Sequence, residues 1–346
     1  MLENNYWIFP IVFLLSLAIS TLCVPFLKKL AVRFEILDRP NQSHKTHSTP
    51  IPYLGGLAIV VPILILSILS IFFLKLDSST IIKGSLLVIP GFFLAIVGLI
   101  DDKKNLPASS RFVIQLIVSS LISLVLIQGK YGVRITEYPT VNILISILWI
   151  VGITNAFNFL DNLDGGASGI AAISSASIFA LSLLGNQYLV ASLSLTICAA
   201  TLGFLFWNRN PASIYLGDSG ALFIGLMLSV LLLQFEPSAN ERLSSISIPI
   251  MIMAVPIIDT SVAVISRIHR GVSIFQGGRD HLSHRILGLG LNKRQTAICI
   301  WALGAFFAFV GAFIDRIHFL NADFFSIVGL FCLLLVTLIF LRMPQI

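Results

Sequence analysis

Eleven stretches of about 17–25 predominantly apolar residues follow one another along this chain, each long enough to cross a lipid bilayer as a helix. They lie near 7–27, 53–74, 84–100, 111–128, 141–157, 167–184, 188–207, 219–235, 245–268, 296–314 and 324–341. Hydrocarbon offers no water to open backbone groups, so runs of this length form helices. Composition agrees: 57% of residues are hydrophobic and 11% charged, against roughly 25% charged in a soluble domain. The expectation is an all-α, polytopic integral membrane protein with about eleven transmembrane helices. No repeat, low-complexity tract or linker divides it, so residues 1–346 are read as a single domain. Cys23, Cys198, Cys299 and Cys332 lie in or beside apolar runs at no metal or disulfide spacing and are read as packing residues.

The basic residues predict the orientation. Odd-numbered spans end on one face, which collects sixteen of the 22 Lys and Arg residues; the other face keeps Lys75, Lys83, Lys130, Arg134, Arg242 and Arg316. Loops rich in Lys and Arg stay in the cytoplasm, which puts the first face inside and the N-terminus outside. Lys28 and Lys29 follow the first span and no cation precedes it, the pattern of an anchored helix rather than a cleaved leader. The net charge of +6 is spread over several loops. Anionic headgroups and phosphates account for it, and no nucleic-acid partner is expected.

Most of the carboxylates gather at the predicted cytoplasmic ends of the spans. In GLIDDKKN, Asp101 and Asp102 are placed just beyond a helix end, where adjacent carboxylates repel unless a cation compensates. Pairing with Lys103 and Lys104 is the structural alternative. In NAFNFLDNLDGG, Asn155, Asn158, Asp161 and Asp164 recur every three residues, as neighbours along a helix. Their amide and carboxylate oxygens suit a hard cation, and hydrogen bonding to a neighbouring helix is the alternative. Asp218 and Ser219 open the eighth span, where an acid also serves as a cap. Tyr215, three residues upstream, offers a ring for stacking or for the interfacial belt. Asp259 falls inside the ninth span and is given no role.

The first and last cytoplasmic loops supply cations. Lys45, with His44 and His47 close by, lies in a long turn-rich loop. The last loop combines Arg267, Arg270, Arg279, Arg285, His281 and His284 with glycines at 271, 277 and 278. Arginines suit bidentate phosphate contact; a cationic loop resting on anionic lipid is the alternative. Asp280, His281 and His284 lack the cysteine or fourth ligand of a zinc site. One face thus holds oxygen ligands for Mg²⁺, cations for phosphates and an aromatic beside an acid. Such a set points to a reaction between a soluble phosphorylated donor and a substrate resident in the bilayer.

These loops resemble those of the polyprenyl-phosphate N-acetylhexosamine-1-phosphate transferases, a glycosyltransferase family 4-like group. The resemblance runs through DRPNQSHKTH, PYLGG, DDKKNLPASSRFVIQ, NAFNFLDNLDGGASG, YLGDSG, PIIDT and GRDHLSHRIL, almost the whole chain. It implies transfer of a sugar-1-phosphate from a UDP-sugar to undecaprenyl or another polyprenyl phosphate, with release of UMP, at the inner face of the plasma membrane. It implies Mg²⁺, with Mn²⁺ as the alternative ion, held by Asn158 and Asp218. By the same resemblance Asp101, Asp102 and Asp161 are expected at the reaction centre. Asp164 and Tyr215 are expected near the uracil, and Arg279, His281 and His284 on the diphosphate and sugar, with Lys45 as a further substrate contact. A homodimer is left open.

The branch acting on phospho-MurNAc-pentapeptide usually carries consecutive histidines in the last loop. Here Leu282 and Ser283 interrupt the stretch DHLSH, which turns the expectation toward a GlcNAc-type donor. The pentapeptide transferase is kept as the alternative. A secondary transporter is the rival from another class, but transporters place ionisable groups near the bilayer midplane rather than at one set of helix ends.

Overall fold

The computed structural model describes residues 6–38, 50–74, 76–128, 135–239, 242–274, 277–317 and 321–344. Its helices are α1 (Ile8–Arg33), α2 (Gly55–Phe73), α3 (Ser78–Lys104), α4 (Ala108–Gln128), α5 (Pro139–Leu160), α6 (Gly166–Leu184) and α7 (Tyr188–Asn208). There follow α8 (Gly217–Gln234), α9 (Arg242–Ile252), α10 (Ala254–His269), α11 (Leu282–Leu287), α12 (Lys293–Arg316) and α13 (Ala322–Arg342). Two short strands, β1 (Leu37–Asp38) and β2 (Ile51–Pro52), pair antiparallel with Leu37 opposite Pro52. Among the described residues, ten helices are long and apolar enough to cross a membrane, and the bent α9–α10 pair brings the number to 11. The all-α polytopic architecture expected from the apolar runs is the one observed.

The bundle is layered around α8. Of its apolar window 89% is buried inside the protein, against 22% for α1 and 17% for α13. Helices α2, α3, α5, α6 and α7 pack around it, while α1 and α13 turn most of their surface outward. Lipid gives no hydrophobic drive between helices, so close approach and hydrogen bonds must hold them. At the start of α8 the approach is backbone to backbone: a Cβ on Gly56 would lie 2.2 Å from the Gly220 nitrogen, and one on Gly98 2.5 Å from the Asp218 carbonyl carbon. Elsewhere hydroxyls cross between helices, with Ser16 and Ser20 of α1 donating to the Thr196 and Ala200 carbonyls of α7 at 2.8 and 2.7 Å.

The ninth expected span, 245–268, is not one helix. It breaks between α9 and α10 with a bend of 78°. Pro256 explains the position: it has no N–H for the Ile252 carbonyl, and its ring clashes with a carbonyl four residues back. The Met253 N–H still reaches Pro249 O at 3.0 Å, and the next bond, Ile257 N–H to Met253 O at 3.1 Å, already belongs to α10. The third span also differs from its expected bounds. It continues to Lys104, so Asp101 and Asp102 lie within its last turn rather than beyond it. Lys103 and Lys104 favour that extension by facing the negative helix end.

Candidate active site

Four helix ends meet at one end of the bundle: the C-termini of α3 and α5 and the N-termini of α4 and α8. Inside a helix, adjacent residues point about 100° apart, and Asp101 and Asp102 accordingly take different partners. Asp101, 4% exposed, accepts from the Leu106 N–H at 2.6 Å and from Arg111 Nη1 at 2.5 Å. The same Arg111 nitrogen donates to Asp218 Oδ2 at 2.7 Å. Asn158 Nδ2 donates to Asp218 Oδ1 at 2.6 Å, keeping its amide oxygen as an acceptor. Asp102 turns to backbone, accepting from the Asp218 N–H at 2.8 Å and the Ser219 N–H at 3.3 Å.

Asp218 was expected to double as a cap. The structure gives that work to other helices. The first turn of α8 has no cap from its own residues; Asp102 takes the Asp218 and Ser219 donors, and Asp161 accepts from the Gly217 N–H. Two carboxylates from α3 and the end of α5 thereby neutralise the positive end of the most buried helix. Gly217 must be glycine for this arrangement: its φ is 72°, and a Cβ would meet Asp102 Oδ2 at 2.7 Å and Tyr53 O at 2.9 Å. Asp218 is released to face the cleft, with 27% of its side chain exposed. Enclosure raises Asp161 to about 7, and the neighbouring Asp218 charge pushes the same way, so negative charge is in excess here.

The three-residue row on α5 is only half helical. The helix ends at Leu160 with Asp161 as its C-cap, so Asp161 and Asp164 sit in the turn before α6. Asn155 stays on the helix and donates to Gln115 of α4 at 2.5 Å and to Val151 O at 2.8 Å. Asp164 accepts from Asn210 Nδ2 at 2.7 Å and the Ala212 N–H at 3.2 Å. The segment after that turn lies along β2: Tyr215 N–H donates to Pro52 O at 2.8 Å, and Gly55 N–H to Tyr215 O at 3.0 Å. The Tyr215 ring stands 5.9 Å from Tyr53. Burial, then the Asp164 charge, raises the Tyr215 phenol, and burial with Asp38 raises that of Tyr53, so both are hydroxyl donors.

The last loop forms the opposite wall. His281 is the N-cap of α11; its ring lies 6.0 Å from His284 and meets Phe159 edge-on at 5.8 Å. Ser283 Oγ donates to Asn162 Oδ1 at 2.5 Å, joining the loop to the turn that carries Asp161 and Asp164. Burial lowers His284 to about 4. Arg279 is exposed. Two arginines expected to serve phosphates are instead internal. Arg267, 2% exposed, forks onto Asp280 at 2.9 and 2.8 Å and lies over the Phe159 ring at 5.2 Å. Arg285, 1% exposed, donates to the carbonyls of Phe340 and Met343 at 2.7 and 2.6 Å, closing the end of α13. Buried guanidinium groups need such partners, and loop composition does not reveal which cations find them. Lys45, His44 and His47 lie outside the described residues.

An apolar groove of about 330 Å³ runs between α5 and α10, lined by Leu148, Trp149, Ile153, Ala156, Ile257, Thr260 and Val264. Its Ala156 wall lies on the same helix as Asn158, two residues before it and so on a different face of α5. Gly152 opens it further, since a Cβ there would have no neighbour within 4 Å.

The geometry therefore unites Asp101, Asp102, Asn158, Asp161 and Asp218, with Asp164 and Tyr215 on one side and His281 and His284 on the other. Sequence reasoning missed Arg111, which counted only toward orientation, and the Asp259 contact to His281. It also missed Asp38 beneath Tyr53.

A model of glycosyl transferase family 4 matches residues 84–236. A probable undecaprenyl-phosphate N-acetylglucosaminyl 1-phosphate transferase of Bacillus subtilis (strain 168) is 34% identical, over 89% of this chain and 85% of its own length. The chain belongs to glycosyl transferase family 4. A decaprenyl-phosphate N-acetylglucosaminephosphotransferase of Mycobacterium leprae is 29% identical, over 82% of this chain and 78% of its own. A phospho-N-acetylmuramoyl-pentapeptide-transferase of Bacillus cytotoxicus is 28% identical, over 88% and 95%. The stretch matched by the family model contains Asp101, Asp102, Arg111, Asn158, Asp161, Asp164, Tyr215 and Asp218. Asp259 and the last loop lie beyond it.

Proposed function

We propose that this glycosyl transferase family 4 member moves N-acetylglucosamine 1-phosphate from UDP-N-acetylglucosamine to a polyprenyl phosphate, undecaprenyl phosphate first, and releases UMP at the cytoplasmic face of the plasma membrane. One observation carries the reading: oxygen side chains from α3, α5 and α8 converge at one end of a membrane bundle, where Arg111 bridges Asp101 and Asp218. The names of the relatives support the donor choice, the match to the GlcNAc enzyme of B. subtilis being at 34% against 28% for the pentapeptide enzyme of B. cytotoxicus.

The donor set suits Mg²⁺, since every candidate ligand is an oxygen. Among the described residues no three His, Cys, Asp or Glu side chains are grouped to hold a metal alone. Mg²⁺ in phosphate chemistry usually takes one or two carboxylates and completes its shell with waters and the substrate's phosphates. Asp218 with the Asn158 amide oxygen is such a partial set. When bound, the ion supplies charge neutralisation on the donor diphosphate.

The remaining work falls to the chain's own groups. Asp102 and Asp161 hold the start of α8 so that Asp218 keeps its aim. Arg111 balances Asp101 and Asp218 and lies within reach of phosphate charge that develops on the leaving UMP. Tyr215 and Asp164 flank the base, and Arg279 and His284 meet the sugar phosphate. The groove receives the first isoprene units of the acceptor. The acceptor phosphate monoester has a second pKa of about 6, so it arrives mainly as a dianion and attacks directly, with no aspartyl intermediate.

Purified protein incubated with UDP-GlcNAc, undecaprenyl phosphate and Mg²⁺ is expected to form a lipid-linked sugar and UMP in equal amounts. UMP without lipid product, or substrate counterflow without chemistry, would overturn the reading. A phosphosugar trapped on Asp101, Asp102 or Asp161 would overturn direct attack. A panel of UDP-GlcNAc, UDP-GalNAc and UDP-MurNAc-pentapeptide decides the donor.

A further inference from the structure

Asp259 is fully buried in α10, and no step above uses it. Its carboxylate spans two donors of the last loop. Oδ1 accepts from the Leu282 N–H at 2.7 Å, and Oδ2 lies 2.8 Å from His281 Nδ1. On the other side of the imidazole, Nε2 lies 3.2 Å from Arg267 Nη2. Arg267 in turn forks onto Asp280, which also receives Arg270 Nη2 at 2.5 Å.

One placement of protons satisfies the contacts within hydrogen-bond distance, Asp280 Oδ1 standing outside it at 3.7 Å from Nε2. Guanidinium nitrogens only donate, so Nε2 facing Arg267 must offer its lone pair. The imidazole proton then sits on Nδ1 and points at Asp259. A backbone N–H also only donates, so Asp259 accepts at both oxygens and is ionised. Reversing the tautomer would set Nε2–H against an arginine N–H and leave a buried carboxylate facing a lone pair, each a costly mismatch.

We infer that Asp259 is a positioning residue for phosphosugar transfer: it caps α11 and fixes His281 as the Nδ1–H tautomer, so that the last loop is presented to the donor in one geometry. This rests on the functional reading above. The seating is reinforced from α5, where Phe159 touches both His281 and Arg267. Thr260, the next residue of α10, lines the apolar groove. One helix turn after the 78° bend therefore serves the loop on one side and the groove on the other.

The test uses full-length protein in lipid vesicles with ¹⁵N-labelled histidine, and His281→Gln to assign the signal. The expected wild-type spectrum shows His281 protonated on Nδ1 and bare on Nε2, and Asp259→Asn moves it away from that pattern. A wild-type ring protonated on Nε2 overturns the inference without any mutant. Kinetics form the second arm. Carboxylates that orient metal-bound histidines are worth about 10–100-fold, and Asp259→Asn is expected to lower kcat/KM for UDP-GlcNAc within that range. In the His281→Gln background the same change should cost less than about twofold, because coupled residues are not additive. Independent, multiplying effects would show that Asp259 acts only through general stability. A wild-type chain with the Nδ1 tautomer but no UMP release would sink the functional reading and leave the proton assignment standing.

Discussion

The two walls of the cleft handle charge in opposite ways. At the junction of α3, α5 and α8, Asp101 and Asp218 share Arg111 while Asp102 and Asp161 accept from backbone N–H donors, and Asp161 is raised to about 7 by enclosure and the neighbouring Asp218 charge. At the last loop the account is settled internally: Asp280 meets Arg267 and Arg270, Asp259 meets His281, and Arg285 meets the carbonyls of α13. Among the described residues the first wall has more carboxylates than side-chain cations, which on the proposed reading an external cation balances. The second is finished before any ligand arrives. On that reading, the surface that meets a metal-bearing diphosphate has one unbalanced half and one internally paired half.

The contrast is most exposed at Asp218. Asp218→Ala is expected to lower turnover by at least about 10²–10³-fold, the scale of a lost electrostatic anchor, with poor rescue by added Mg²⁺. Wild-type rates in EDTA would break the idea that the α8 wall works through a divalent ion. Arg111→Ala probes the same wall from the other sign. Turnover should fall about tenfold or more, yet the Mg²⁺ concentration for half-maximal rate should drop, because the competing charge beside Asp101 and Asp218 is gone. An unchanged Mg²⁺ requirement would show that Arg111 and the ion do not share a site.

The finished wall should answer differently. Arg279→Ala, on the exposed part of the loop, is expected to raise the donor KM about tenfold, near one charge-assisted contact, with little change in melting temperature. Arg285→Met should do the reverse. It leaves buried carbonyls unpaired at about 1–3 kcal/mol and shifts thermal unfolding, with donor KM nearly unchanged. The smallest effect is at His284. With its value lowered to about 4 from an ordinary 6.5, the native chain takes up this proton less readily than the unfolded one. Its linkage therefore removes stability as pH falls from 6.5 toward 4 and contributes nothing above. His284→Gln should leave the pH–rate profile unmoved between pH 6.5 and 8; a lost inflection there would show a charged histidine in the working site.

The bundle was legible because long apolar runs in lipid have one regular solution. The break at Met253 was not foreseen, although Pro249 and Pro256 mark it, because hydropathy counts the whole run as one span. The carboxylates were found as a group, but their division of labour was hidden. Asp102 and Asp218 both occupy helix ends, and only packing shows that one caps the other's helix. Likewise Arg267, Arg279 and Arg285 are equal in a string of letters. Burial separates them, and burial depends on where α5 and α13 pass. Asp259 looked roleless for the same reason: its partner is 22 positions away on a different helix.

The bend at Met253 has a kinetic corollary. Beyond the bend α10 borders the groove along α5, whose Leu148 is 70% exposed; on the proposed reading a long-tailed acceptor enters there by sliding within the leaflet. The quantity that governs saturation is then its surface density. Diluting the vesicles at fixed lipid composition should leave the rate per enzyme unchanged, whereas adding inert phospholipid to the same vesicles should slow it.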